Sequence, residues 1–441
     1  MESISRFFDR IIQRYLPDAF LFAVILTFVV FILGVIVTDS TPIQMVEYWG
    51  GGFWDLLAFA MQMCLVVMTG YILANTPIVK KGLKKVSGIA KTPAQAVVLV
   101  TLIAILASLI NYGFGLVIGA LIAVQVFKQV PSADYRILVA SAYSGYLLWH
   151  GGLSGSIPLL IATPGHFLEE EMGLIPVTET LFSNFNIFIV VFLLITLPIF
   201  NRFLSSKYDK FELPSHINLD HNDEDTLEPL SENLTPSDRL ENSKIISYTI
   251  GGLGLAFIIL HFVNNGFDLN LNIVNFTMLF LGIILHNTPR RFLHSVNNAV
   301  KNVSGIIVQF PFYAGIMGMM VASGLSENIS LFFVSVSTEF TYPFFTFLSA
   351  GILNFFIPSG GGQWAVQGPI MIPAGLSLGV DTAKTAMSVA WGDAWTNMVQ
   401  PFWTLPLLAI AGLKARDIMG FCFMVLIFSA IPITIGLLFF N

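Results

Sequence analysis

Two ionisable side chains lie inside stretches that are otherwise apolar, and they are the residues best suited to chemistry. Asp393 follows Asp381 by twelve residues, which places it roughly 18 Å along a helix that rises about 1.5 Å per residue. His150 lies in a second apolar stretch. A charge at the centre of a bilayer costs at least about 2.5–3.5 kcal/mol, so both groups are functional candidates. Asp393 is predicted to hold a coupling ion, with a structural hydrogen bond as the alternative. His150 either binds a ligand or bridges two helices.

Neither an anionic ligand nor Asp393 has a fixed basic partner, because no Lys or Arg lies deep in these apolar stretches. The ion at Asp393 is therefore predicted to be mobile, either a proton or Na⁺. An anion would be bound by helix termini, hydroxyls and amides. The two cysteines, Cys64 and Cys422, provide no metal-binding cluster. No metal site and no cofactor other than a possible coupling Na⁺ is expected.

Amide and glycine residues interrupt two further apolar stretches. Asn111 and Asn354 hold matching places at these breaks, and an amide oxygen can coordinate a cation while its NH2 binds a carboxylate. Capping a broken helix is the alternative role for each. The glycines after Ser359 allow backbone N–H groups to approach a ligand closely. The residues predicted to bind substrate in the second break are Asn354, Ser359, Gly360, Gly361 and Gln363.

Two further helices have polar, glycine-containing middles, one around His150 and one around Asp393. Ser154 in the first, and Thr396 and Asn397 in the second, are predicted to bind substrate where the helix unwinds. Glycine, and Pro401 in the second helix, weaken the helical hydrogen bonding that these side chains would replace. The alternative is that they only join packed helices.

The composition requires a membrane to surround these elements. Of the 441 residues, 55% are hydrophobic and only 11% are charged, about half the charged fraction of a soluble domain. The fold is predicted to be all-α and polytopic, with about nine transmembrane helices plus two re-entrant hairpins. The helices are expected at 17–38, 55–76, 134–162, 184–203, 244–264, 272–287, 301–322, 383–411 and 417–439, and the hairpins at about 93–127 and 342–376. Each hairpin arm has only about 15 residues, which is short for a crossing, although pairs of short tilted crossings stay an alternative.

Charge fixes the orientation of these helices. With the N-terminus in the cytoplasm and the C-terminus outside, only Lys384 of the 21 Lys and Arg residues lies outside. This distribution is typical of a multi-pass protein of the cytoplasmic (inner) membrane. Residues 203–243 form a hydrophilic cytoplasmic linker between a first membrane repeat, 1–202, and a second membrane half, 244–441.

Short motifs of the first half of the sequence recur in the same order in the second half. Thr41-Pro42 recurs 247 residues later as Thr288-Pro289, and Gln62 recurs at the same distance as Gln309. Five predicted crossings separate the starts of the two units, so the second copy is expected to be inverted. Inverted repeats with interrupted helices are typical of secondary transporters, which bind substrate near the midplane.

Two other classes fit less well. A passive channel predicts a continuous polar stripe, whereas the polar residues here cluster at mid-span. A membrane-embedded hydrolase needs paired Asp, a His-Glu zinc motif or a Ser with a base, and only Ser154 or Ser156 near His150 suggests one. The chain is predicted not to be an enzyme.

Three stretches carry a family resemblance: NFFIPSGGGQWAVQGP from Asn354, WGDAWTNMVQP from Trp391, and WHGGLS from Trp149. With them, nearly the whole chain resembles the short-chain fatty acid transporter family. The resemblance implies uptake of short-chain fatty acids, small monocarboxylates such as butyrate or acetoacetate, together with two re-entrant hairpins, a homodimer in the lipid bilayer and an elevator-type motion. We predict symport driven by a sodium or proton gradient, and no nucleic-acid partner is expected. Dicarboxylate carriers of the wider superfamily have Ser-Asn-Thr at the hairpin tips, whereas this chain has Ile110-Asn111-Tyr112 and Leu353-Asn354-Phe355.

The orientation can be tested by labelling. Single cysteines would be placed at Lys84 and at Glu170, in a chain whose two native cysteines are replaced by alanine. In intact cells the cysteine at position 170 should react with an impermeant maleimide, and that at position 84 should be protected until the membrane is permeabilised. Labelling of position 84 from outside would show that the orientation is inverted.

Overall fold

The computed structural model describes residues 19–206, 235–400 and 402–440, and in these ranges every regular element is a helix. The predicted all-α class is therefore confirmed. Pro401 and most of the predicted linker (207–234) lie outside the described residues. The α-helices of the first half are α1 Ala19–Val37, α2 Pro42–Gly52, α3 Leu57–Ala74, α4 Pro77–Ser87, α5 Pro93–Ile110, α6 Tyr112–Gln129, α7 Tyr135–Gly145, α8 Ser156–Ile161, α9 Glu169–Met172 and α10 Asn184–Ser205.

After α11 (Pro236–Glu241), the second half continues the helical chain. Its α-helices are α12 Lys244–Asn265, α13 Leu271–His286, α14 Pro289–Ala299, α15 Ser304–Ala322, α16 Leu325–Val336, α17 Tyr342–Leu353, α18 Gly360–Ser377, α19 Thr382–Thr396, α20 Thr404–Ala411 and α21 Ala415–Phe439. Short 3₁₀ helices lie at Tyr146–Gly151 and Val300–Asn302.

Eight helices in the described ranges are long and apolar enough to cross a membrane, namely α1, α3, α5, α6, α10, α12, α15 and α21. The chain is thus a multi-pass membrane protein. The segments expected to cross at 134–162 and 383–411 are both interrupted, the first by the 3₁₀ helix and the second between α19 and α20. This agrees with the predicted unwinding, because polar residues lie at both breaks and glycine at the first. The count of nine crossings stays a prediction.

The first hairpin differs in length from the expectation. Its arms, α5 and α6, have 18 residues each, so the estimate of about 15 residues per arm is wrong here. The reason is that the interruption is a single extended residue, Asn111, rather than the whole polar stretch predicted to break the helix. Both arms are long enough to cross, so the re-entrant form of this hairpin stays a prediction.

The second hairpin is less regular. Its first arm, α17, has 12 residues, and residues 354–359 separate it from α18. Twelve residues rise roughly 18 Å, less than the ~30 Å hydrocarbon core. An arm of this length fits the predicted re-entrant form.

Small residues allow the first hairpin to pack tightly. A Cβ on Gly115 of α6 would lie 2.6 Å from Ser108 Cα of α5. A Cβ on Gly70 of α3 would overlap the backbone of Phe114. Glycine therefore lets the two arms and α3 approach each other at backbone distance, as small residues do between membrane helices.

Helices of the second half follow one another in the same order as those of the first half, at nearly the residue spacing predicted from the sequence. α2 and α14 both begin with Pro after a Thr N-cap, and α15 begins 247 residues after α3. α7 and α19 are related by the same distance, and α8 and α20 by 248 residues. This recurrence supports a duplicated unit, and its inversion stays a prediction.

Candidate functional site

The two ionisable residues singled out in the sequence contact each other. His150 Nε2 lies 3.2 Å from Asp393 Oδ2, and both side chains are fully buried. His150 belongs to the 3₁₀ helix of the first half, and Asp393 to the last turn of α19 in the second. The contact therefore joins the two halves of the chain.

The backbone around His150 is held by the first hairpin. Leu153 N–H donates to the carbonyl of Leu109 over 2.7 Å, and a Cβ on Gly152 would overlap the backbone of Leu109. Tyr112 N–H donates to Ser154 Oγ over 2.8 Å. The glycine allows this close approach, and the tip of the first hairpin consequently positions His150.

The backbone of Asp393 is held by two amides. Asn354 Nδ2 donates to the Asp393 carbonyl over 3.1 Å and to Thr396 Oγ1 over 3.0 Å. Asn397 Nδ2 donates to the same carbonyl over 2.6 Å and to Asp393 Oδ2 over 3.1 Å. Three of the predicted residues, Asn354, Thr396 and Asn397, thus form one network with Asp393.

The glycine run brings the second hairpin to His150. A Cβ on Gly360 would overlap His150 Nε2 and lie 2.7 Å from Ser156 Oγ, and a Cβ on Gly361 would overlap the Phe59 ring. Only glycine fits so close to the imidazole. Ser359 is the N-cap of α18 but makes no side-chain capping bond. The first N–H groups of α18 therefore lie beside the His150–Asp393 pair.

Gln363 occupies the first turn of α18. Its Nε2 donates to the Ala350 carbonyl and to Gln367 Oε1, each over 2.9 Å. Its backbone N–H donates to the Ser359 carbonyl. Gln363 thereby ties α18 to α17.

Asn111 lies at the other hairpin and is fully engaged. Its Oδ1 accepts from Phe114 N–H over 2.9 Å, and its Nδ2 donates to the Val66 carbonyl over 3.2 Å. This geometry is that of an N-cap, which favours the capping alternative for Asn111. Among the described residues no hydrogen bond joins Asn111 to Asp393.

Several buried acceptor atoms near Asp393 have no protein partner. Within the described ranges, no hydrogen bond reaches Asn354 Oδ1, Gln363 Oε1, Asp393 Oδ1 or Asn397 Oδ1. His150 Nδ1 also has no hydrogen-bond partner among the described residues. An unpaired buried polar atom costs about 1–3 kcal/mol. Three of these atoms belong to the Asp393 network, which makes this region the candidate binding site.

Two residues that support the site were missed in the sequence. Tyr143 OH donates to the Asn397 carbonyl over 2.6 Å. Asn186 Nδ2 donates to the Gly151 carbonyl over 3.3 Å, and its Oδ1 accepts from Trp391 Nε1 over 3.0 Å. Asn186 is an amide in an apolar helix, which is a signal that could have identified it.

Comparison with solved structures identifies the fold. The chain matches the crystal structure of the YdaH transporter of Alcanivorax borkumensis with a TM-score of 0.59, over 96% of this chain and 97% of that one, at 14% identity. It also matches MtrF of Neisseria gonorrhoeae, one of a class of antimetabolite efflux pumps, with a TM-score of 0.57 over 98% and 97%, again at 14% identity. The fold is thus that of polytopic membrane transporters.

Sequence comparison then identifies the family. Residues 1–440 match the family described as short chain fatty acid transporter. An Escherichia coli (strain K12) protein named for short-chain fatty acid transport is 47% identical over 438 residues, and a Haemophilus influenzae protein with the same name is 46% identical over 445 residues; each match covers 99% of both chains. The chain belongs to the short-chain fatty acid transporter family.

The two hairpin asparagines should respond differently to substitution. Asn354→Ala removes a side chain whose Oδ1 has no partner among the described residues, and it should weaken binding of butyrate, the ligand class the resemblance implies, by about tenfold. Asn111→Ala removes a helix cap, so it should lower stability by about 1 kcal/mol and leave affinity unchanged. Thermal denaturation with and without butyrate measures both effects. Equal affinity of the wild type and Asn354→Ala would reduce Asn354 to a structural residue.

Proposed function

We propose that this chain is a secondary transporter that carries short-chain fatty acids such as butyrate or acetoacetate across the cytoplasmic membrane, coupled to a proton gradient. Membership of the family supports the substrate class. The observation that supports the coupling is the fully buried contact between His150 and Asp393. The N-terminus is proposed to be cytoplasmic and the C-terminus external.

A buried carboxylate in contact with an imidazole can bind a proton. With Asp393 ionised and His150 neutral, the pair carries one negative charge, and one added proton neutralises it. The described charged residues include no Lys or Arg paired with Asp393, since its ion-pair partner is His150 alone. A proton is therefore the ligand that removes the cost of this buried charge.

Proton and substrate binding then favour each other. A carboxylate substrate entering beside an ionised Asp393 would be repelled, by about 2 kcal/mol at a separation of about 8 Å and an effective dielectric constant of about 20. A proton on the pair abolishes this repulsion. By linkage, a bound anion strengthens proton binding by the same factor. This reciprocity is what obligatory symport requires.

The glycine run completes the proposed site. The first turn of α18 directs its N–H groups toward the end that carries Gly360 and Gly361, beside His150. The positive end of a helix favours an anion there. Ser154, Ser359, Gln363, Thr396 and Asn397 are retained as residues proposed to line the substrate path.

Sodium is the second candidate for the coupling ion. Asn354 Oδ1, Asn397 Oδ1 and Asp393 Oδ1 are buried oxygens without a protein partner in the described part of the chain. Hard cations prefer such oxygen ligands. Their side chains are already tied together through the Asp393 carbonyl.

The remaining alternatives find less support. Ser154 accepts a hydrogen bond from the Tyr112 N–H, and among the described residues neither Ser154 nor Ser156 hydrogen-bonds His150, so the serine–base pair of a hydrolase is not formed. The homodimer and the elevator-type motion implied by the family resemblance stay predictions.

Substitution of Asp393 tests the coupling role. Asp393→Asn preserves the shape of the side chain and removes its charge, so gradient-driven accumulation of butyrate in proteoliposomes should be abolished. Exchange of labelled for unlabelled butyrate should survive, because exchange needs no net movement of the coupling ion.

A matched control is available on the same helix. Asp381→Asn alters the N-cap of α19 at the membrane surface and should leave accumulation intact apart from a small loss of stability. If Asp393→Asn still concentrates butyrate against its gradient, Asp393 is a structural residue and the coupling site lies elsewhere.

A further inference from the structure

Three buried aromatic residues meet beside His150. The ring centroids of Tyr146 and Trp149 are 5.7 Å apart, those of Tyr146 and Trp403 are 6.1 Å apart, and those of Trp149 and Trp403 are 6.4 Å apart. Tyr112, at the tip of the first hairpin, contacts Trp149 and Trp403 at 4.8 and 5.8 Å. We call Tyr146, Trp149 and Trp403 the aromatic triad.

Each member of the triad carries a donor without an acceptor. Within the described ranges, Tyr146 OH, Trp149 Nε1 and Trp403 Nε1 are buried and make no hydrogen bond. Two other indoles are paired, since Trp391 Nε1 donates to Asn186 Oδ1 and the half-buried Trp395 donates through Nε1 to the Leu426 carbonyl. Most buried donors are paired in this way. The Nε1 atoms of Trp49 and Trp364 are unpaired among the described residues, as those of the triad are, but neither ring contacts the triad. The triad thus carries three buried donors without an acceptor on rings that contact one another.

A cavity is lined by one member of the triad, Trp403. It has a volume of about 460 Å³, and its walls include Trp403, Gly113 of α6, and His294, Asn298 and Lys301 around the end of α14. That size is typical of a small-molecule site. Lys301 lies in the region predicted to face the cytoplasm, so an anion would be attracted toward the mouth of the cavity.

We propose that the aromatic triad is the carboxylate-binding site, with the O–H of Tyr146 and the indole N–H groups of Trp149 and Trp403 as its donors. The proposal rests on the function proposed above and names the residues that receive its substrate. An ionised carboxylate is an acceptor-only group with about four lone-pair sites, which matches a set of donors without acceptors. The ring faces supply an apolar wall for a short alkyl chain. Trp403 is the donor of the triad that lines the cavity.

The position of the triad also connects the substrate to the coupling pair. The ring centroids of Trp149 and His150 are 3.6 Å apart, and His150 in turn contacts Asp393. A carboxylate on the triad therefore lies near enough to the pair to be sensitive to its charge. The triad and the pair form one continuous site.

Tyr146→Phe is the most conservative test, because it removes only the hydroxyl. It should weaken butyrate binding to the full-length protein by about tenfold, the effect of losing one hydrogen bond to a charged group. Denaturation without butyrate should occur at or above the wild-type temperature, since a buried hydroxyl that has no partner is being removed. Trp149→Phe should weaken butyrate binding to a similar extent, and it should also lower stability because it leaves a cavity in the core. Butyrate should change the tryptophan fluorescence of the wild type, and this change should be smaller in Trp403→Phe.

Two control variants distinguish the loss of a hydrogen-bond donor to butyrate from a general loss of stability. Tyr135 OH donates to the Ala411 carbonyl over 2.8 Å, so Tyr135→Phe should lower stability and preserve butyrate affinity. Trp364 is fully buried and its Nε1 is also unpaired within the described ranges, but no ring contact joins it to the triad. Trp364→Phe should therefore preserve butyrate affinity.

The outcomes distinguish the two proposals. If the wild type binds butyrate and all three triad variants bind it equally well, the triad is not the site, while the proposed function stands. If Trp364→Phe weakens binding as much as Trp149→Phe, the effect is not specific to the triad and the inference is overturned. If the wild type binds no short carboxylate, the proposed function itself fails, and the inference fails with it.

Discussion

The burial of a carboxylate against an imidazole is the constraint on which the rest of this site depends. His150 and Asp393 are 243 positions apart, and their side chains are fully buried 3.2 Å from each other. A buried ionisable pair is costly unless its hydrogen bonds are satisfied and its charge is compensated. The amides of Asn354 and Asn397 bind the backbone carbonyl and Oδ2 of Asp393, and Gly360 lies against the imidazole. Asp393 Oδ1 and His150 Nδ1 have no partner among the described residues, so part of this cost remains for a ligand to remove. His150 and Asp393, the two groups that can gain or lose a charge, thereby lie where two helix breaks meet.

The two hairpins have different parts in this arrangement. The first supports the segment that carries His150 through backbone bonds from Leu109 and Tyr112, and its Asn111 serves as a helix cap. The second brings Gly360 to the imidazole and Asn354 to the backbone of Asp393. Asn111 and Asn354, which hold matching positions in the two halves, therefore make different contacts.

Much of this could be predicted from the sequence, and the limits have physical reasons. Asp393 and His150 stand out because an ionisable group is expensive in an apolar segment, a local property of the chain. Their contact depends on the packing of two halves and has no local signal. The arm lengths of the first hairpin were underestimated because Asn111 alone interrupts the helix. Trp149 and Trp403 were missed as binding residues because an aromatic ring in an apolar segment is indistinguishable by type from one that faces lipid.

The central claim is that a proton on the His150–Asp393 pair accompanies the substrate. Infrared difference spectroscopy of the purified protein, comparing the butyrate-bound and butyrate-free states at constant pH, measures it directly through the C=O stretch of a protonated carboxyl group. The account predicts that this band appears on binding in the wild type and is absent in Asp393→Asn. A wild-type spectrum without the band, together with butyrate binding that requires sodium, would contradict the account.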